Sequence, residues 1–163
     1  MDKRPDQMDW EAFQEDLRNA IDRLGIPLCG DTEDVDSEPE FKDGHVAFNG
    51  IQDDSAGDFV LYRDPVEFDH CKTYQRPYDL AVMVALIIAD HHFGMFEFHA
   101  TSDGSPKDWE SALRFVREHF DYGDFPFDED DIRRSRHEAY AQQEIADYRS
   151  IRTDLRISTT ETV

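Results

Sequence analysis

Apolar residues recur at three- and four-residue steps over residues 8–24, where Trp10, Phe13, Leu17, Ile21 and Leu24 share one helical face before Gly25 and Pro27. That periodicity predicts an amphipathic helix that covers a core and stops at the glycine. Over residues 30–43 the apolar positions thin out and acids with Pro39 take over, the pattern of a solvated acidic loop. Two extended segments are expected next, 45–51 and 58–63. The small and polar residues Gln52, Asp53, Asp54, Ser55, Ala56 and Gly57 between them suit a hairpin connection, so the pair is expected to be antiparallel.

After an extended stretch over 65–76, the run from Leu80 to Ala89 is apolar on every face. It predicts a central helix over roughly 78–93, buried on most sides and too short to cross a membrane, with Gly94 placed as its C′ cap. Residues 95–101 alternate, with Phe96, Phe98 and Ala100 on one face and Glu97, His99 and Thr101 on the other, as a half-buried strand does. Ser105, Pro106, Lys107 and Asp108 open the next helix with a capping-box pattern, and Trp109, Ala112, Leu113, Val116 and Phe120 form its apolar face. An acidic, aromatic linker follows over 121–131, then a highly charged helix over 131–151, then a tail with no pattern that would order it. The expected fold is α+β, a small mostly antiparallel sheet packed against a buried central helix and further amphipathic helices. One compact domain is expected over 1–125 (amino-terminal helix 8–24, acidic loop 30–43, core 45–122), with a charged helix and disordered tail over 126–163.

Composition adds a constraint on the surface. The chain has 38 acidic and 17 basic residues among 163, a formal charge of -21, beyond what a small domain needs for solubility. Asp outnumbers Glu about two to one, and four lysines (Lys3, Lys42, Lys72, Lys107) stand against thirteen arginines. This combination fits salt adaptation, because short carboxylates hold water and cations densely and molar salt shrinks the Debye length to about 3 Å, screening self-repulsion. A nucleic-acid mimic or a partly disordered acidic protein would share the charge, but 12% aromatics and a clear apolar helix argue against general disorder. Direct DNA or RNA binding is disfavoured, since phosphate contacts need clustered cations and the densest group, Arg133, Arg134 and Arg136, is flanked by acids. With no apolar run of membrane-spanning length and no signal-type start, a soluble, cytoplasmic protein is expected, inside the host cell if viral. Cys29 and Cys71 cannot build a disulfide framework, and free thiols suit a reducing interior.

Polar motifs surround the central helix: Phe48-Asn49-Gly50, Cys71-Lys72-Thr73, Pro77-Tyr78-Asp79, His91-His92-Phe93-Gly94, and Ser102-Asp103-Gly104 with Trp109. They are expected to converge at one end of the core. In this order, over roughly residues 48–120, they resemble a family of short proteins of actinobacterial phages, prophages and haloarchaeal viruses or elements. The resemblance implies a viral or mobile-element setting and brings no assigned activity and no catalytic residues. The amino-terminal helix, the acidic loop and the charged carboxy-terminal helix depart from it.

Taken by themselves, Cys71 and Arg76 suggest the phosphate loop of a cysteine phosphatase. Only four residues separate them, one fewer than that loop uses, and no glycine lets the backbone curl. Cys71 reads instead as a small half-buried residue, with Lys72 and Arg76 at the mouth of the central helix. Five of the seven histidines (His45, His70, His91, His92, His99) lie near Cys71 and Asp103 in sequence, and all these groups are zinc-competent. None has a recognised metal-site spacing, His91 and His92 point about 100° apart on a helix, and stabilisation by the helix macrodipole is the simpler account of either. Asp103 ends a strand where α/β proteins often bind ligands, although Asp-Gly turn chemistry explains it more simply. Asp79 suits the amino terminus of the central helix.

The binding candidates are therefore Asn49, Lys72, Thr73, Arg76, Tyr78, Asp79 and Asp103. Cys71 and Asp103 are the catalytic candidates, His91 and His99 the metal candidates, and no cofactor is expected. The expected function is that of a non-catalytic accessory or protein-interaction protein of a halophilic virus or mobile element, with a protein partner and with neither direct nucleic-acid nor membrane binding. The alternatives are a small metal-dependent hydrolase using Cys71, His91, His99 and Asp103, and an acidic DNA mimic that inhibits a host nucleic-acid enzyme.

Overall fold

The computed structural model describes residues 4–30, 34–66, 69–94, 100–102, 104–124 and 153–154. The first helix, α1 (Gln7–Leu24), starts where the Asp6 carboxylate accepts the Asp9 N–H at 2.9 Å. It ends at Gly25, whose φ of 63° lets its N–H turn back to the Ile21 carbonyl. Its apolar stripe, Trp10, Phe13, Leu17 and Ala20, is fully buried.

Strand β1 (Leu28–Cys29) follows, then β2 (Glu40–Phe41), β3 (His45–Gly50) and β4 (Phe59–Tyr62). All pairing is antiparallel and centred on β3. On one edge β4 runs from His45↔Tyr62 to Phe48↔Phe59, and on the other β2 pairs Glu40↔Ala47 and Phe41↔Val46. Strand β1 takes the next two residues of β3, Leu28↔Gly50 and Cys29↔Asn49. Val46, Phe48, Phe59 and Leu61 alternate onto the core face, as the period of two requires. The expected loop over 30–43 therefore ends earlier than its composition suggests, because Glu40 and Phe41 join the sheet. Two residues carry too little periodicity to read. They are fixed by tertiary contact, with the Arg18 guanidinium 4.4 Å from the centroid of the Phe41 ring.

The central helix, α2 (Asp79–Phe93), is buried at every position from Ala81 to Ala89, as its unbroken apolar run requires. Helix α1 packs on one side of it and α3 (Glu110–His119) on another. Gly94 departs from the expected left-handed cap: it stays right-handed, φ −55°, with its N–H on the Asp90 carbonyl, so the helical path continues through it. The capping box before α3 is present. The Asp108 carboxylate accepts the Ser105 N–H at 2.5 Å and the Ser105 hydroxyl at 2.9 Å, and a 3-10 turn over Pro106–Trp109 leads into the helix. The short β5 (Thr101–Ser102) pairs with β6 (Thr153–Asp154). The buried Ser102 hydroxyl accepts the Trp109 indole N–H at 3.2 Å and the Gly104 N–H at 3.1 Å. The alternating strand expected over 95–101 lies mostly outside the described residues, and so does the charged helix expected over 131–151.

One buried cation ties the amino-terminal segment to the sheet. The Arg63 guanidinium donates to the Pro5 carbonyl, the Gln7 amide oxygen and the Asp43 carboxylate. The architecture is α+β, with a four-stranded antiparallel sheet and three helices among the described residues.

Leu86 is fully buried in the middle of α2. Leu86→Ala is expected to cost about 2 to 5 kcal/mol in denaturant unfolding, as truncation in a packed interior does. A loss within the ±0.5 kcal/mol or so typical of surface substitutions would place α2 outside the core.

Candidate functional site

Asn49, on β3, is held by every hydrogen bond its side chain can make. Its Oδ1 accepts the N–H groups of Gly50 at 2.7 Å and Ala56 at 3.1 Å, and its Nδ2 donates to the Ala56 carbonyl at 2.9 Å and Asp58 Oδ1 at 2.7 Å. Two lone pairs and two N–H donors are all that a carboxamide offers. The adjoining glycine is needed for close approach, since a Cβ on Gly50 would collide with the Asp54 carbonyl and the Tyr78 ring.

The same connection ends at Gly57, which joins three parts of the chain. Its N–H donates to the Lys72 carbonyl at 2.8 Å, while its own carbonyl accepts the Tyr78 hydroxyl at 2.6 Å and the Cys71 thiol at 3.3 Å. A Cβ here would stand 3.0 Å from the backbone N and O of Lys72. Beyond Lys72 the buried Thr73 donates its hydroxyl to Asp79 at 2.5 Å, in the first turn of α2. The Thr73 carbonyl accepts the Arg76 N–H at 3.0 Å across Tyr74 and Gln75, whose φ values of 49° and 58° make this a type I′ turn. Without glycine, a left-handed residue costs roughly 1–2 kcal/mol. Next, the Asp79 N–H reaches the Arg76 carbonyl at 2.8 Å, with Pro77 in the second position of that turn, and α2 begins.

Electrostatics in this knot disfavour ionisation. Burial foremost, then Cys71, raises the pKa of the Tyr78 phenol, which therefore stays a neutral donor. Burial and the Asp58 charge raise the Cys29 thiol, whose sulfur lies 3.1 Å from the Gly50 carbonyl. Cys71 is 1% exposed, deeper than the half-buried position expected for it, because the chain doubles back onto Gly57 there. Both thiols are closed off from solvent, an unfavourable setting for a nucleophile.

His91 and His92 stand elsewhere, at the far end of α2. His92 Nε2 lies 2.9 Å from Asp16 Oδ2 on α1, and the Tyr122 hydroxyl donates to that same oxygen at 2.6 Å. The His91 ring lies flat on the Tyr122 ring, with centroids 3.7 Å apart and planes within 2°. Asp79 and His91 are twelve helical steps apart on α2, about 18 Å at the helical rise. The expected convergence at one end is thus replaced by two clusters at opposite ends of α2, and Cys71 and His91 do not share a site. His99 and Asp103 lie outside the described residues. Among the described residues no three His, Cys, Asp or Glu side chains are grouped to hold a metal ion.

Of the remaining binding candidates, Asn49, Thr73, Tyr78 and Asp79 come together in the knot. The side chains of Lys72 and Arg76 lie on its outer surface, half-buried and exposed respectively. Gly57, Asp58, Asp16 and Tyr122 complete these clusters and were missed by the sequence reading. A glycine closing a small-residue connection is a detectable cue for Gly57, but Asp16 looks like any acid on the polar face of α1. No family model, curated protein or solved structure matches this chain.

Asn49→Ala would strand the Gly50 and Ala56 N–H groups and the Ala56 carbonyl. A loss of about 3 kcal/mol or more is expected in denaturant unfolding, at about 1–3 kcal/mol for each buried group left unpaired. A loss under about 1 kcal/mol would mean that water replaces the carboxamide. His91 supplies a second test. Burial, then His92, lowers its pKa against the opposing pull of Asp16 and Asp124. The fold therefore prefers the neutral ring: it contributes nothing to pH dependence above about pH 6.5, and stability falls as pH drops below that value towards the lower folded pKa. His91→Gln is expected to flatten this part of the stability curve in urea unfolding between about pH 7.5 and 5. An unchanged slope would remove His91 as its source.

Proposed function

We propose that this chain is a non-catalytic protein-interaction or accessory protein working in a high-salt cell interior, of the kind carried by a halophilic virus or integrated element. The observation that carries this reading is the knot around Gly57. The residue types there that suggest chemistry, Asn49, Cys71, Thr73, Tyr78 and Asp79, are bonded to one another's neighbourhood and hold the chain in shape. A polar group engaged by partners within the fold is poorly placed to attack a substrate or relay a proton. The hydrolase reading is weakened further by the length of α2 between Cys71 and His91.

The high-salt setting rests on the charge of -21 and the scarcity of lysine. The viral or mobile-element setting rests on the motif resemblance alone. A DNA mimic would also be acidic, but salt adaptation accounts for the charge without a nucleic-acid enzyme as target. No helix among the described residues is long and apolar enough to cross a membrane, which agrees with a partner met away from the bilayer.

The melting temperature is expected to rise steadily from dilute buffer to molar KCl, because a Debye length near 3 Å screens repulsion between surface carboxylates. A flat or falling series would withdraw the salt-adapted reading and favour the mimic. Pull-down of the full chain from a high-salt lysate is expected to recover one specific protein. Recovery of none would count against the interaction reading.

A further inference from the structure

The turn that leads into α2 combines strain, rigidity and two cationic side chains in one place at the surface. Tyr74 and Gln75 are consecutive left-handed residues with side chains, a conformation that persists only where the surroundings over-determine it. The surroundings do so: Lys72 is bonded through its backbone to Gly57, Thr73 to Asp79 and Arg76, and Tyr78 to Gly57. Nothing in the tip is used to build the core. Tyr74 is 54% exposed, the most exposed large aromatic among the described residues, and Gln75, Arg76 and Pro77 are exposed beside it.

Charge singles out the same loop. Among the described residues, Arg4, Arg18, Arg23, Lys42, Arg63 and Arg117 each engage a carboxylate, an amide or carbonyl oxygen, or a ring. For the Lys72 and Arg76 side chains no such partner stands among the described residues, in a chain with 38 acids to 17 bases. Lys107 and Arg114 likewise have no such partner among the described residues, but they stand on ordinary helical turns rather than on a strained frame beside an exposed tyrosine.

We propose that residues 72–77 form the docking surface for a partner protein, which seats a carboxylate-bearing segment on Tyr74 with its acids on Lys72 and Arg76. This rests on the interaction reading above and names its surface. Tyrosine and arginine are the side chains that most often anchor interfaces, and a tip already fixed in shape loses little freedom on binding. The guanidinium fork matches a carboxylate in two parallel hydrogen bonds. A partner active in the same molar salt is itself carboxylate-rich, so cations are the scarce complement. At that salt the long-range repulsion between two acidic proteins is screened, and short-range pairs decide the fit. A phosphate polymer needs a longer run of clustered cations than the two, Lys72 and Arg76, that this loop carries.

The test places a photo-crosslinking benzoylphenylalanine at Gln75 in the full chain and irradiates it in a high-salt extract of host cells. One dominant crosslinked protein is expected, joined through a segment rich in Asp and Glu. Its yield should fall about tenfold or more on Arg76→Glu and on Tyr74→Ser, as when an interface anchor is lost. Arg76→Gln should give an intermediate loss, and Arg114→Glu none. Melting temperatures in molar KCl identify any variant that misfolds, in which case Arg76→Gln decides. If pull-down recovers a partner while the crosslink is insensitive to Arg76, or the joined segment lacks acids, the surface is wrong and the interaction reading stands. A nuclease-sensitive crosslink overturns the proposal in favour of nucleic acid. Absence of a partner in both experiments removes both readings.

Discussion

A helix that is apolar on every face has no side to give to water, and this requirement on α2 organises the molecule. From Ala81 to Ala89 each position needs a neighbour. Trp10, Phe13 and Leu17 of α1, Phe48 and Phe59 of the sheet, and Ala112 and Val116 of α3 belong to the same buried cluster. With its flanks closed by apolar contact, α2 has room for polar groups only at its ends. The Gly57 knot gathers before its first turn and the Asp16–His92–Tyr122 cluster at its last.

The periodic parts of the chain were readable in advance. Residues 8–24 and 78–93 carry enough repeats to fix helix and burial, and the pair of segments around Gly57 carries the alternation and small residues of a hairpin. Strands β1 and β2 were not readable, because two residues contain no period and their place in the sheet is set by Phe41 and by backbone pairing. The motifs stood out as unusual, yet their bonds could not be inferred. The main acceptor is the carbonyl of Gly57, a group that every residue possesses, and nothing in the letter sequence says which carbonyl is used. Asp16 and Tyr122, 106 positions apart, are joined only by the way α1 and the segment after α3 meet on α2.

Charge inside the molecule is handled differently from charge outside. The carboxylates that enter the clusters meet polar donors: Asp58 an amide, Asp79 a hydroxyl, Asp16 a phenol together with an imidazole. Bonds of the first two kinds need no opposite charge, so salt that weakens exposed ion pairs leaves them largely intact. Arg63 is the buried exception, and it too leans on a carbonyl and an amide oxygen besides Asp43. A chain surrounded by molar cations can thus keep its internal joints while its surface charge is screened.

The knot and the histidine cluster also differ in how much chain must be closed to make them. The Cys71 and Tyr78 bonds to Gly57 span 14 and 21 residues, whereas the bonds to Asp16 span 76 and 106. Closing the longest of these loops costs about 2 kcal/mol more chain entropy than closing the shortest. Local closure therefore favours assembly that begins at the hairpin and the head of α2, with α1 docking afterwards. On this ordering the saturated side chain of Asn49 acts at the start of folding as well as in its product, by committing the hairpin connection before the helix has a partner.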